Sequence, residues 1–177
     1  MIRRWLPPIL LGLVLAILTY HVTLANTPRT LMAAATKRLA KGAGYNAFFH
    51  GPLATDKARA IVRPSPDLAY SSCPLDLSKG PVVVAVAPVP ALYWSLSVFD
   101  ARTDVAFVRN NRDVGGRAFR IAIAQPGQQV PGGIETVRVE GARAVALIRV
   151  LVDDRARFPA IDRARRVSTC TPLAQTS

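Results

Sequence analysis

Tyr93-Trp94-Ser95-Leu96-Ser97-Val98-Phe99-Asp100 is the stretch that decides the fold class. Trp94, Leu96 and Val98 alternate with Ser95, Ser97 and Phe99, and successive side chains of an extended chain point to opposite faces. Phe119, Ile121 and Ile123 repeat the pattern around Arg120. Working outward, apolar or alternating runs at 60–63, 68–73, 82–87, 93–100, 105–109, 119–124, 136–140 and 144–152 read as short strands. Ser78-Lys79-Gly80-Pro81, Asn110-Asn111-Arg112-Asp113, Gly115-Gly116, Pro131-Gly132-Gly133 and Glu140-Gly141 punctuate them as turns. This spacing predicts a mainly β domain, an antiparallel β-sandwich or barrel. After Pro159 the run IDRARRV predicts a helical turn or two.

Upstream, residues 5–24 read WLPPILLGLVLAILTYHVTL without a formal charge. Twenty helical residues span about 30 Å, the hydrocarbon thickness of a bilayer. Pro7 and Pro8 sit in the first turn, where a missing N–H costs little, and Trp5 and Tyr20 flank the run as interfacial aromatics. The expectation is a transmembrane helix over residues 1–26. Thr23-Leu24-Ala25 also has the small-x-small form of a signal cleavage site, so release after Ala25 is the alternative. Thr27 followed by Pro28 predicts an N-cap and first position of a separate juxtamembrane helix within 27–45, its buried stripe formed by Leu31, Ala35 and Leu39, with Gly42 and Gly44 ending it. The β-rich domain then occupies 46–177. A count of flanking cations favours a cytoplasmic domain, because Arg29, Lys37, Arg38 and Lys41 follow the span. The likeness to a signal sequence outweighs it, since long domains translocate largely regardless of charge.

The chain carries a net charge of +12, and 19 of its 23 cations are arginine, spread through the sequence among acids. A nucleic-acid binder concentrates its cations in a stripe with stacking aromatics, so no nucleic-acid partner is expected. A solvated basic surface or attraction to anionic lipid fits better. Motifs for chemistry are missing: there is no G-x-S-x-G, H-E-x-x-H or C-x-x-C, and the glycine pairs lie between strands. His50 is the one histidine outside the membrane run, and it reads as a loop residue in Phe48-Phe49-His50-Gly51-Pro52. No catalytic residue, metal or cofactor is assigned. Asp67, Tyr70 and Asp100 are candidates for a polar cleft at strand ends, with turn caps and surface ion pairs as the commoner use of such residues. Cys73 and Cys170 form an even pair, which an oxidising periplasm would bridge; two free thiols are the alternative.

Arg63-Pro64-Ser65-Pro66-Asp67-Leu68-Ala69-Tyr70-Ser71, with Leu75-Asp76-Leu77-Ser78-Lys79-Gly80-Pro81-Val82 after it, resembles an uncharacterised bacterial family, domain of unknown function 1254. The run from Tyr93 to Asp100 is similar to the family's second hallmark, and Asn110-Asn111-Arg112-Asp113 fits the loop that follows. The resemblance spans about residues 46–172 and is closest to a short, membrane-anchored branch with a cysteine near each end of the domain. Longer relatives carry Asn and Thr around the aspartate, where this chain has Ser65-Pro66 and Leu68-Ala69, which weakens any polar site around Asp67. The resemblance implies a β-sandwich. It also implies a separately encoded companion of the type called domain of unknown function 1214, and it supplies no catalytic residues.

Together these readings predict a single-pass inner-membrane protein with its domain in the periplasm. The expected role is binding another envelope protein or an apolar ligand without catalysis. The rival is an envelope hydrolase of lipid-like or ester substrates.

Overall fold

The computed structural model describes residues 2–55 and 64–173; the strand expected at 60–63 lies outside them. The chain opens with one helix, α1, Ile2–Ala43. It does not restart at Thr27, so the separate juxtamembrane helix is instead the second half of α1. Pro28 lacks an N–H and withholds one helical bond. Side chains around it supply others: Asn26 Nδ2 donates to the Val22 carbonyl at 2.7 Å, Thr27 Oγ1 to that of Thr23 at 2.7 Å, and Arg29 to that of Ala25 at 3.0 Å.

The two halves of α1 meet different surroundings. Every residue from Trp5 to Leu24 is exposed, and the helix is long and apolar enough to cross a membrane. Beyond Pro28, Met32 and Thr36 are buried and Ala35, Leu39 and Ala40 partly so. The stripe thus runs through Met32 and Thr36 rather than Leu31, which is 60% exposed. A stripe based on Met32 keeps the i, i+3, i+4 spacing with one residue's rotation. Gly44, at φ +86°, ends the helix by donating to the Ala40 carbonyl. Gly42 is required by packing, since a Cβ there would come within 2.7 Å of the Phe49 ring.

Two sheets follow, so the domain is a sandwich rather than a barrel. The first has the order β1 (Phe49–His50), β2 (Leu68–Asp76), β8 (Arg143–Leu151), β4 (Trp94–Phe99), β5 (Val105–Asn110); the second has β7 (Glu135–Arg138), β6 (Phe119–Ala124), β3 (Val82–Val86), β9 (Thr169–Pro172). Cys73 and Leu75 of β2, Trp94, Leu96 and Val98 of β4, and Ile148 and Val150 of β8 face Val82, Val84, Ile121 and Ile123 across the core. The opposite face of β2 and β8 receives α1. One pairing departs from the antiparallel expectation: β7 runs parallel to β6, Ile121 beside Glu135. The connection over 125–134 returns the chain to the start of β6 before β7 begins. Arg138 holds it there by donating to the Gln125 and Gln128 carbonyls. A 3-10 turn, Arg155–Arg157, leads into α2, Phe158–Arg165.

Candidate functional site

Where sheet one ends at β1 and β2 and sheet two at β9, polar groups gather inside the rim of the sandwich. His50 lies opposite Ser71 in the β1–β2 register, so their side chains share the inward face. Asn46 fixes that register by mimicking backbone: its amide donates to the Asp76 carbonyl at 3.1 Å and its Oδ1 accepts from the Asp76 N–H at 2.8 Å. From the other side, α2 presents Ile161 and Arg165, both fully buried against the core.

Arg165 is the hub. Its guanidinium donates to the carbonyls of Tyr70 and Gly51, each at 2.6 Å, to Ser71 Oγ at 3.0 Å, and through Nε to Asp162 Oδ1 at 2.8 Å. It thereby ties α2 to β2 and to the segment after β1. Burial lowers the Arg165 pKa from its ordinary value, opposed by the Asp162 carboxylate. Burial also pushes Asp162 upward, but hydrogen bonds from Arg166 and Arg165 outweigh it and leave that carboxyl below its usual range.

His50 Nδ1 lies 2.9 Å from Ser71 Oγ. Burial, then the charges of Arg165 and Arg166, lower its pKa to about 4, against a smaller opposing effect of Asp162. The ring is therefore neutral at neutral pH. Ser71 Oγ accepts from Arg165 and has a proton to give to Nδ1, a pairing that suits the tautomer protonated at Nε2.

A serine beside a neutral histidine invites comparison with a nucleophile and its base. Three features oppose it. Ser71 is 0% exposed, so no substrate atom reaches Oγ. The Arg165 cation occupies a lone pair of that oxygen. Asp162, the only acid in the cluster, is engaged by Arg165 and Arg166 rather than orienting the imidazole. The arrangement is a buried polar knot, suited to closing the rim.

The cleft candidates are split by the fold. Asp67 and Tyr70 lie near one end of sheet one: the Asp67 carbonyl accepts from the Val152 N–H, and the Tyr70 hydroxyl accepts from the Ser65 N–H at 3.0 Å. Asp100 lies at the other end, just beyond the Phe99–Val145 pair. Seven strand residues separate Val145 from Val152, about 23 Å. Asp100 is buried as a turn cap, its Oδ1 accepting from the N–H groups of Arg102 and Asp104 at 2.8 and 3.0 Å. Tyr70, from β2, braces the turn that holds Asp67, and Asp100 does not join them. Among the described residues, no three His, Cys, Asp or Glu side chains gather as a metal set.

Cys73 and Cys170 are joined, Cα atoms 6.6 Å apart, linking β2 to β9 across the sandwich next to the knot. His50 is a strand residue rather than a loop residue, and Ser71, Asp162 and Arg165 carry the interactions that motif search overlooked. A signal existed: Ile161 and Arg165 are four apart on one helical face, which puts an arginine beside a core residue. The run DRARRV hides it, because four neighbouring charges look like a solvated face.

The model of a protein family described as "Protein of unknown function (DUF1254)" matches residues 45–172. No curated protein matches the chain. Among solved structures, the VPA0106 protein from Vibrio parahaemolyticus is similar with a TM-score of 0.67 and 17% identity, over 88% of this chain and 41% of that one. An uncharacterized protein from Burkholderia cenocepacia matches with a TM-score of 0.47 and 18% identity, over 83% of this chain and 41% of that one. The chain thus spans less than half the length of either, and the Vibrio likeness speaks to the fold alone.

Proposed function

We propose that this chain, which belongs to the DUF1254 family, is a single-pass inner-membrane protein whose β-sandwich works in the periplasm by binding rather than by catalysis. The observation that carries the reading is α1. One continuous helix leaves its uncharged half bare from Trp5 to Leu24 and lays its second half on the sheet. A bare run of that length in water would expose far more contiguous apolar surface than soluble domains tolerate. The Cys73–Cys170 bridge supports an oxidising compartment.

Binding is favoured over catalysis by the closure of the knot and the separation of Asp100 from Asp67 and Tyr70. An open apolar groove of about 530 Å³, bordered by Val86, Pro88, Phe119 and Val167, offers a seat for an apolar ligand or a partner's side chains. A separately encoded companion of the kind the family resemblance implies is the proposed partner. The hydrolase reading, an envelope enzyme using the aspartates around Asp67 and Asp100, meets a fold that holds the two a strand's length apart, and the His50–Ser71 contact is what remains for it.

The test is fractionation with protease access. Full-length protein should stay in carbonate-washed membranes and lose its domain to protease added to spheroplasts. Recovery of a soluble chain beginning at Asn26, or protection of the domain in spheroplasts, would overturn the reading.

A further inference from the structure

The anchor fixes how close the domain lies to the bilayer. Met32, buried on the domain, is eight residues beyond Leu24, about 12 Å along an unbroken helix. The head-group layer on each side of the hydrocarbon is itself roughly 5–7 Å thick. One end of the sandwich must therefore meet the membrane surface.

Which end follows from the register. Asn46 pins the far end of α1 beside Pro74 and Asp76, at the finish of β2. The helix contacts β1, β2 and β8 and makes no comparable contact with the other strands. Three strands are only about 10 Å wide, so a contact of roughly 15 Å, from Met32 to Gly42 against Phe49, runs along them. The membrane-side end of α1 therefore points toward the end of the sheet at Leu68 and its partner Leu151. Trp94 pairs with Val150 at this end, which brings the connection from β3 to β4 there too.

That connection reads Ala87-Pro88-Val89-Pro90-Ala91-Leu92-Tyr93 and presents Leu92, 66% exposed. Val167, 67% exposed, borders the groove beside Pro88. Arg120 borders the same groove, Arg112 follows Asn111, whose amide donates to the Leu92 carbonyl, and Arg155 begins the turn from which Arg157 donates to the Pro90 carbonyl. Arg112, Arg120 and Arg155 are all exposed and without ion pairs among the described residues. Nearby carboxylates are engaged: Asp113 accepts from the Asn110 N–H, Asp153 pairs with Arg157, and Asp154 accepts from the Ala156 N–H. Apolar tips ringed by unpaired arginines suit the boundary between anionic head groups and acyl chains.

We propose that this strand-end face, with Leu92 and Val167 at its tips, is a lipid-contact surface that seats the domain on an anionic bilayer. The inference rests on the anchored reading above and adds a second point of attachment.

The test uses the full chain in vesicles of phosphatidylcholine, with and without phosphatidylglycerol. An environment-sensitive fluorophore is attached at Leu92→Cys or, at the opposite end of the domain, at Lys79→Cys; nitroxide lipids serve as quenchers. Quenching at position 92 should exceed that at 79 by about twofold or more and deepen with phosphatidylglycerol. Arg112→Glu, Arg120→Glu and Arg155→Glu together should remove the deepening. Equal quenching at the two positions, in protein that still floats with the vesicles, overturns the surface and leaves the anchor standing. Failure to float overturns the anchor, and the surface with it. Quenching at 92 that ignores phosphatidylglycerol overturns the anionic character of the contact.

Discussion

The two open edges of the sandwich are closed by opposite means. At the edge formed by β1, β2 and β9 the closure is covalent and buried: the Cys73–Cys170 bridge, with Arg165 fully enclosed beside it. At the edge of β5 and β7 it is exposed and ionic. Arg109 grips Glu135 with two bonds of 2.5 and 2.8 Å while lying over the rings of Phe107 and Phe119, 4.9 and 5.3 Å from their centroids. A buried arginine is tolerable only when its donors and charge are answered, which makes the knot an all-or-nothing element. An exposed ion pair is screened and replaceable. Stability should therefore be concentrated at the first edge, whose last strand, β9, is short and terminal and would fray without a tie.

The largest expected effect is loss of the bridge. Cys73→Ala with Cys170→Ala releases a loop of 97 residues, and chain entropy puts the cost at about 4–5 kcal/mol as an upper value. Chemical denaturation of the full chain in detergent, with and without reductant, measures it; equal midpoints would show that β9 needs no tie.

Arg165→Met comes next, with a loss of about 3–5 kcal/mol expected, because the carbonyls of Tyr70 and Gly51 and the carboxylate of Asp162 lose their partner. A loss under 1 kcal/mol in the same assay would remove the knot from the account.

The effect of pH is smaller and has a definite sign. The folded-state pKa of His50, about 4, lies below the ordinary 6.5, so the unfolded chain binds a proton that the folded one refuses. This group's share of stability is present above pH 6.5 and is lost as pH falls toward 4. His50→Gln should flatten the Tm profile over that window. An unchanged slope would place the acid sensitivity elsewhere.

The smallest change is expected at the other edge. Glu135→Gln should cost about 1 kcal/mol or less, since exposed pairs contribute little and the aromatic contacts of Arg109 remain. A loss matching that of Arg165→Met would erase the contrast between the edges.

The sandwich was legible in sequence where alternation was long, as in Trp94 to Val98, and where turns were marked by glycine and proline. It was illegible where tertiary pairing alone makes a strand. Phe49–His50 is too short to show a period, and Thr169–Pro172 is polar and ends in proline, so only the edges of β2 and β3 define them. The parallel pairing of β7 was hidden for a similar reason, since direction is set by the loop rather than by residues in the strand. At Thr27-Pro28 the cap signal is local: a proline removes one N–H without ending a helix, and α1 runs through it. The candidate site was the least legible part: Asp67 and Asp100 look alike in sequence, and only register reveals that a strand's length parts them.

An anchored domain that folds where thiols are oxidised should keep its two cysteines paired in protein taken from carbonate-washed membranes. Thiols are alkylated at harvest, and the full-length band is compared before and after reduction. The expected result is a membrane-bound band that takes up label only after reduction. Full labelling of both thiols without reductant would contradict it.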